Sequence, residues 1–491
     1  DFCLSRGLGD VYKRQVYVFA EAGYSVKVFG YDMASGKKPI YDASNSPVKL
    51  CYHIEDGNCV PACTRPDSSS RVGKRGYYTS PSLQSGVGNT YGSQAFVAPY
   101  VEKKVFEYTL DDDGNATITK YDGNVRALTI PDTLDGYTVV AIGSSAFAKN
   151  RYLQSVVIPD TVTVIQESAF AECTNLSSVA LSEGLVELGK YAFGGTALTN
   201  IIIPKSLETA HTGWEHIGNS TETDGPFINC ENLKTITFET GMTKIPQFLF
   251  AGCTGLEEIQ IPQTVVSIEK GSFIKCINLK KVIMPDTLCE IGGGAFATCT
   301  QLERIHVPDS VKLISAWMFS DCSSLTEVNI PAGVKVIENN AFRNCTSLKD
   351  ITIPDAVTKI EDSVFENCTA LTKVTVGNQV SSIGQSAFSG CTALPQITLP
   401  ASVQTIGDKA FSHCEALADV KLSEGLTSIG SYAFEHNIAL PKVTLPNTLE
   451  SLGERAFQYC DVLADVDLGA GLKVIPKLSL IHISEPTRQA E

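Results

Sequence analysis

Three consecutive segments, residues 341–363, 364–386 and 387–409, read AFRNCTSLKDITIPDAVTKIEDS, VFENCTALTKVTVGNQVSSIGQS and AFSGCTALPQITLPASVQTIGDK. They share one pattern of 23 residues, A-F-x-x-C-x-x-L-x-x-V-x-I-P-x-x-V-x-x-I-x-x-x. The phenylalanine of this pattern recurs along the chain at Phe147, Phe170, Phe193, Phe227, Phe250, Phe273, Phe296, Phe319, Phe342, Phe365, Phe388, Phe411, Phe434 and Phe457. The chain therefore contains an array of about fourteen units, which we place at residues 106–477.

The apolar positions of the unit predict two short strands. Val and Ile in V-x-I alternate with polar residues, as on a strand with one buried side. Proline ends this strand because it has no N–H for a strand ladder, and V-x-x-I returns the chain along a second side. We expect the A-F segment to form a short helical or 3₁₀ turn. One unit cannot bury these side chains alone, so the units must stack. The period predicts a mainly β leucine-rich-repeat solenoid.

The motif AFxxCxxLxxVxIPxxVxxIG resembles the BspA-like leucine-rich repeats of bacterial surface proteins, which also occur in some parasitic protists. The lead-in DDDGNATITKYDGNVRALTIPDTLDGYTVVAIGSSAF, residues 111–147, also resembles the usual entry to such arrays. The resemblance implies a secreted or cell-surface protein. It also implies adhesion to a host or matrix protein, the function of several family members.

The two ends of the chain depart from the repeat. Residues 5–15 read SRGLGDVYKRQ and residues 478–488 read LSLIHISEPTR. A codon choice exists for the first string whose reverse complement encodes the second in frame, and the string resembles a transposase adapter used in sequencing libraries. We therefore interpret residues 1–15 and 478–491 as adapter-derived, and the chain as a metagenomic fragment.

Two further segments precede the array. Residues 16–64 contain VYVF and YSVKVFGY, which alternate like strands, and we interpret them as the end of a truncated β-rich domain. Residues 65–105 are rich in Ser, Gly, Tyr and Pro and predict a linker.

Composition excludes several functions. The net charge is −15, which argues against binding to nucleic-acid phosphates. No run of about eighteen apolar residues could span a membrane as a helix. No catalytic or nucleotide-binding motif is present, so we predict no enzyme activity, no cofactor and no catalytic or metal-binding residue.

Cysteine occurs mainly at one position of the repeat. Three residues after the phenylalanine stand Cys173, Cys230, Cys253, Cys276, Cys299, Cys322, Cys345, Cys368, Cys391, Cys414 and Cys460. We interpret them as reduced, buried packing groups; disulfides between units or a metal site are the alternatives. Cys51, Cys59 and Cys63 lie outside the array. We expect one disulfide among them, with the partner of the third cysteine in missing upstream sequence, and a zinc site with His53 is the alternative.

One unit carries an insertion, KSLETAHTGWEHIGNSTETDGP, at residues 205–226. Insertions in solenoids emerge as loops. His211, Glu215 and His216 lack the H-E-x-x-H spacing of a zinc site, so a solvated loop is the simpler interpretation. Trp214 either caps the local core or presents an apolar contact.

The residues that flank Val in L-x-x-V-x-I should point away from the core. In the middle of the array they form a stripe of mixed charge. The candidate interaction face comprises Glu258, Gln260, Lys281, Ile283, Arg304, His306, Glu327, Asn329, Asp350 and Thr352. Solvation and charge pairing between units are the alternative explanation of this stripe.

Two functions are compatible with these observations. The first is a non-catalytic extracellular adhesion or recognition module, whose strand face binds a host or matrix protein or a glycan. The second is a structural spacer or accessory domain of a larger secreted enzyme, whose catalytic part would lie in missing sequence.

Overall fold

The computed structural model describes residues 49–55, 58–64, 105–210 and 225–475. The described residues fall into two units, on either side of the boundary between Lys104 and Val105. Their regular secondary structure consists of strands joined by turns, and none of them is helical.

The described residues of the first unit form an antiparallel hairpin of β1 (Lys49–Glu55) and β2 (Asn58–Thr64). The register places Cys51 opposite Ala62 and Cys59 opposite Ile54. The predicted disulfide or zinc site on this hairpin stays a prediction.

Several predictions lie outside the described residues. They are the adapter-derived interpretation of residues 1–15 and 478–491, the strand-like segments in residues 16–48, and most of the linker at residues 65–105. The solvated loop with His211, Glu215 and His216, and the two proposed roles of Trp214, also lie outside them.

The second unit is built from two ladders of short parallel strands, numbered here in chain order. Ladder A contains the V-x-I segments: β5 (Ala127–Thr129), β8 (Ser155–Val157), β10 (Ser178–Ala180), β12 (Asn200–Ile203), β14 (Thr235–Phe238), β16 (Glu258–Gln260), β18 (Lys281–Ile283), β20 (Arg304–Ile305), β22 (Glu327–Val328), β24 (Asp350–Thr352), β26 (Lys373–Thr375), β28 (Gln396–Thr398), β30 (Asp419–Lys421), β32 (Lys442–Thr444) and β34 (Asp465–Asp467). Ladder B contains mainly the V-x-x-I segments: β7 (Tyr137–Ile142), β9 (Val164–Ile165), β11 (Glu187–Leu188), β13 (Thr209–Ala210), β15 (Lys244–Ile245), β17 (Ser267–Ile268), β19 (Glu290–Ile291), β21 (Leu313–Ile314), β23 (Val336–Ile337), β25 (Lys359–Ile360), β27 (Ser382–Ile383), β29 (Thr405–Ile406), β31 (Ser428–Ile429) and β33 (Ser451–Leu452).

Three further strands form the entry to the array. β3 (Phe106–Leu110) and β4 (Ala116–Tyr121) make an antiparallel hairpin, and β4 then pairs in parallel with β7. β6 (Thr133–Leu134) pairs antiparallel with β7. The hairpin therefore extends ladder B and covers the first unit of the array.

The phenylalanines form one column inside the solenoid. Neighbouring rings from Phe147 to Phe457 stack with centroids 4.6–6.0 Å apart and planes within 22° of parallel. Leu, Val and Ile of the motif lie buried beside them in a single hydrophobic core. Stacking thus buries what one unit could not bury alone, and the predicted mainly β leucine-rich-repeat solenoid is confirmed.

The prediction of a short helical or 3₁₀ turn at the A-F segment, where the chain turns a corner between units, is wrong. Around Phe342 the N–H groups alternate between two partners: Phe342 donates to Val364 of the next unit (2.9 Å), and Arg343 donates to Asn340 in its own turn (3.1 Å). The residues two before and two after the phenylalanine have left-handed backbones, with φ of +61° at Asn340 and +59° at Asn344. This alternation directs every second N–H at the neighbouring unit, which a helix could not do.

Candidate interaction face on ladder A

The ten candidate residues lie in five consecutive strands of ladder A, β16 to β24, and in the residue that follows β20 or β22. We call them the central patch. All of them are exposed except Asn329, which is half-buried. Between each pair of candidates one residue turns inward and is buried, namely Ile259, Val282, Ile305, Val328 and Ile351. The alternation in the sequence therefore corresponds to the two sides of the ladder.

The parallel register aligns the central patch across units. Glu258 lies opposite Lys281, and Gln260 lies opposite Ile283. Arg304 lies opposite Glu327 in the same way. The patch is therefore a grid of side chains on stacked strands, which hydrogen-bond in the separate pairs β16–β18, β20–β22 and β24–β26.

Opposite charges in this grid pair with each other. The Lys281 ammonium lies 3.8 Å from a Glu258 carboxylate oxygen, and the Arg304 guanidinium lies 3.4 Å from a Glu327 carboxylate oxygen. All four side chains are more than half exposed, so each pair contributes about 1 kcal/mol or less to stability. Ile283, 41% exposed, stands beside these pairs as an apolar contact.

Asn329 has a structural role that its exposed neighbours lack. Its amide nitrogen donates to the carbonyl of Val307, and its amide oxygen accepts from the N–H of Val307, both at 2.8 Å. The side chain replaces the backbone bonds of a ladder whose strands β20 and β22 are only two residues long here. Asn329 is therefore committed to joining two units.

A second row of charges beside the central patch was missed from the sequence. Glu257 lies 3.0 Å from the ammonium of Lys280 and 3.9 Å from that of Lys234. The hydrogen bond from Lys280 lowers the pKa of the Glu257 carboxyl. The sequence contains the signal for this row, because Lys234, Glu257 and Lys280 alternate in charge at the same position of three consecutive units.

The insertion interrupts the array only partly. β12 and β14, which flank it, pair in parallel on ladder A, with Asn200 opposite Thr235. Phe193 and Phe227 also stack across it at 5.5 Å. The inserted residues therefore leave the strand face continuous.

The repeat cysteines line the interior. All eleven are buried and unpaired, and Cys289, outside the column, is an exposed free thiol. Each repeat thiol contacts the carbonyl of the phenylalanine one unit earlier, as Cys345 does with Phe319 at 3.2 Å. Burial raises the pKa of Cys173 to about 11 and that of Cys276 to about 12.

The described part of the chain shows no cluster of three or more His, Cys, Asp or Glu side chains that could hold a metal ion. It also holds no helix that is long and apolar enough to cross a membrane.

Stacked units of 23 residues, two parallel ladders and inward columns of Phe and Cys define a leucine-rich-repeat solenoid. The model of the BspA type leucine rich repeat region matches in six copies, over residues 137–214, 220–349, 266–395 and 383–482. These matches cover more than half of the chain, which therefore belongs to the BspA type leucine-rich-repeat family.

Solved bacterial structures are similar to this chain. A leucine-rich repeat protein from Bacteroides ovatus ATCC 8483 is 26% identical, with a TM-score of 0.58 over 73% of this chain and 97% of that one. A leucine rich cell surface protein from Faecalibacterium prausnitzii A2-165 is 23% identical, with a TM-score of 0.39 over 76% of this chain and 94% of that one. No curated protein matches the chain.

Proposed function

We propose that the protein is a non-catalytic recognition module at the cell surface or outside the cell, which binds a partner protein through the central patch. The observation that carries this proposal is the arrangement of ten side chains from five consecutive units on the outward side of ladder A. The strands that carry these side chains are stacked on one continuous hydrophobic core, which holds them in fixed relative positions, so binding costs little ordering entropy. The partner class is a host or matrix surface protein, as in members of the family; a glycan is the alternative ligand.

The chemistry of the central patch fits a protein partner. Ile283 supplies an apolar contact, and the ion pairs around it form a polar rim. Protein interfaces commonly have this composition, with an apolar centre and exposed charges that set specificity. A membership in a family of repeat proteins, and the similarity to a bacterial cell surface protein, support the same proposal.

The double substitution R304A/H306A tests the site. We expect it to weaken binding to a panel of immobilised extracellular-matrix proteins by about tenfold or more, because it removes the centre of the patch. The matched control K442A/T444A changes the same two positions of β32, outside the patch. It should leave binding unchanged.

The outcome is read together with the thermal unfolding midpoint. Both variants should unfold within about 2 °C of the parent, since exposed substitutions cost little. Binding that stays unchanged in R304A/H306A, or that weakens equally in the control, would contradict the site.

A specific observation favours the second function, a spacer or accessory domain. The charges of the central patch already pair with each other, as Glu258 with Lys281 and Arg304 with Glu327, as expected if the stripe serves only solvation and charge pairing between units. The full-length gene discriminates between the two functions. A catalytic domain encoded upstream would support the spacer, and a signal peptide with a wall anchor around the array would support recognition.

A further inference from the structure

The outward side of ladder B carries a different chemistry from the central patch. Both residues between Val and Ile of V-x-x-I turn outward there. In the middle units they form what we call the lysine–apolar patch: Val266, Ser267, Cys289, Glu290, Lys312, Leu313, Lys335 and Val336. Glu290 is the one carboxylate among them, and it accepts a hydrogen bond from the Ser267 hydroxyl at 3.4 Å. Val266 is 43% exposed and Leu313 is 40% exposed, while Cys289, Lys312 and Lys335 are also exposed.

Two lysines of this patch come from adjacent units. The N–H of Lys335 donates to the carbonyl of Lys312 at 3.4 Å, and Leu313 pairs in register with Val336. Like charges on neighbouring strands are destabilising. Ladder B therefore places two positive charges beside exposed apolar side chains.

Compensation of these charges within the chain is weak. Among the residues that the structure describes, no carboxylate lies within salt-bridge distance of Lys312 or Lys335. The Lys312 ammonium donates to the backbone carbonyl of Asp309 at 2.7 Å. Lys359, one unit further, has its own partner in Glu361 at 3.2 Å. The two lysines thus differ from Lys281 of the central patch, which has the carboxylate of Glu258 opposite it.

We propose that the lysine–apolar patch binds an acidic polypeptide segment that carries apolar side chains between its carboxylates. Carboxylates would form charge-assisted hydrogen bonds with Lys312 and Lys335 and relieve their repulsion. Apolar side chains would cover Leu313 and Val266 and remove their surface from water. A sulfated glycan supplies anions but no apolar groups, so it would leave that surface exposed. This surface is separate from the central patch and does not depend on the proposed function.

Cys289 provides a local reporter, because it is the one exposed cysteine in residues 105–210 and 225–475, the described part of the array. The probe is the synthetic peptide Gly-Glu-Leu-Glu-Gly-Glu-Leu-Glu, added to the full chain. The rate at which N-ethylmaleimide modifies Cys289 is measured by mass spectrometry of the peptide that contains it. We expect saturating probe to slow this reaction about tenfold, with an effect that declines at high salt.

Variants assign the effect to the patch. K312E/K335E should weaken the probe about tenfold or more, because the carboxylates would meet like charges. The matched control K349E/K442E makes the same charge change at Lys349, just before β24, and at Lys442 in β32, both on ladder A. It should leave the protection of Cys289 by the probe unchanged. K312Q/K335Q removes the two charges without reversing them, and it should also weaken binding of the probe. It replaces K312E/K335E in the test if the charge reversal prevents folding.

Control probes separate the two kinds of ligand. Replacing Leu by Ser in the probe should reduce protection, and replacing Glu by Lys should abolish it. Protection that persists in K312E/K335E and in K312Q/K335Q would overturn the proposal. Protection by heparin but not by the Glu–Leu probe would also overturn it, because the site would then be selective for polyanions without apolar groups.

Discussion

At the scale of single residues, the repeat position that cysteine usually occupies holds a small buried side chain that can donate a hydrogen bond. Cys345 contacts the carbonyl of Phe319 one unit earlier, at 3.2 Å. Asn437 takes the same position in a later unit, and its amide donates to the carbonyl of Phe411 at 3.1 Å. Cysteine and asparagine share the ability to fill this space and donate a hydrogen bond, whereas only cysteine can form a disulfide. The position therefore serves packing between units, as the interpretation of reduced, buried thiols requires.

Burial of the thiols makes stability depend on pH. It raises the pKa of Cys276, Cys322, Cys368, Cys414 and Cys460 to about 12 in the folded protein. Unfolded thiols keep an ordinary pKa near 8.5–9, so at higher pH the unfolded chain loses protons first. The stabilising contribution is therefore complete below about pH 8.5 and is lost as pH rises towards 12. We therefore expect the free energy of unfolding to fall as the pH rises through that range.

The measurement is the thermal unfolding midpoint between pH 7 and pH 10.5, compared with that of C345A/C368A. The double variant should start lower, because it leaves small cavities, and should decline less steeply, because two thiols no longer titrate. Parallel curves for the two proteins would show that the thiols are not responsible.

At the scale of elements, the corner beside each phenylalanine shows what the sequence could not indicate. Left-handed backbones occur at Thr298 and Trp317, with φ of +61° and +60°. Such residues have no local preference for this region, which favours Gly and Asn. Hydrogen bonds between units impose the conformation, as when Thr298 donates to Ser320 at 2.7 Å. A prediction from local propensity therefore favours a helical turn and is wrong.

This backbone predicts opposite effects for two threonines that are two residues apart. Thr298→Gly should stabilise the array by about 0.5 kcal/mol, because relief of the steric penalty of a positive φ, about 1–2 kcal/mol, exceeds the backbone entropy that glycine adds to the unfolded chain, about 0.5–1 kcal/mol. Thr300→Gly should destabilise it by about 1 kcal/mol, because Thr300 donates its hydroxyl to Ile277 at 3.1 Å and glycine adds backbone entropy to the unfolded chain. Urea unfolding of both variants measures the two changes. Destabilisation by both substitutions would mean that the left-handed corner carries no strain.

For the candidate interaction face, the sequence predicts which residues point outward but not how they pair with each other. The alternation around Val in V-x-I was sufficient to place Glu258 and Lys281 on the outward side. The pairing of Arg304 with Glu327, and the bond of Asn329 across two units, depend on the register of neighbouring strands. That register follows from the constant period, but side-chain distances of this kind also depend on rotamers, which the pattern does not specify. Whether these residues bind a partner stays a prediction.

At the scale of the whole molecule, one continuous core joins the units of the array. Each unit packs mainly on its two neighbours, so a defect in one position is transmitted along two ladders and the phenylalanine column. The insertion at residues 205–226 is tolerated because β12 and β14 still pair and the ring stack continues across it. Because the core residues hold the units together, the outward residues of the two ladders can differ in charge. Ladder A carries paired opposite charges in the central patch, and ladder B carries Lys312 and Lys335.

Thiol accessibility tests the central claim, an array whose cysteine column lies inside the core. The full chain is treated with N-ethylmaleimide before and after urea denaturation, and modification of each cysteine is measured by mass spectrometry. We predict that Cys289 reacts in the native protein, that the eleven repeat cysteines react only after denaturation, and that they are recovered as thiols. Repeat cysteines that react as fast as Cys289 in the native protein, or that are joined to neighbouring units by disulfides, would contradict the account.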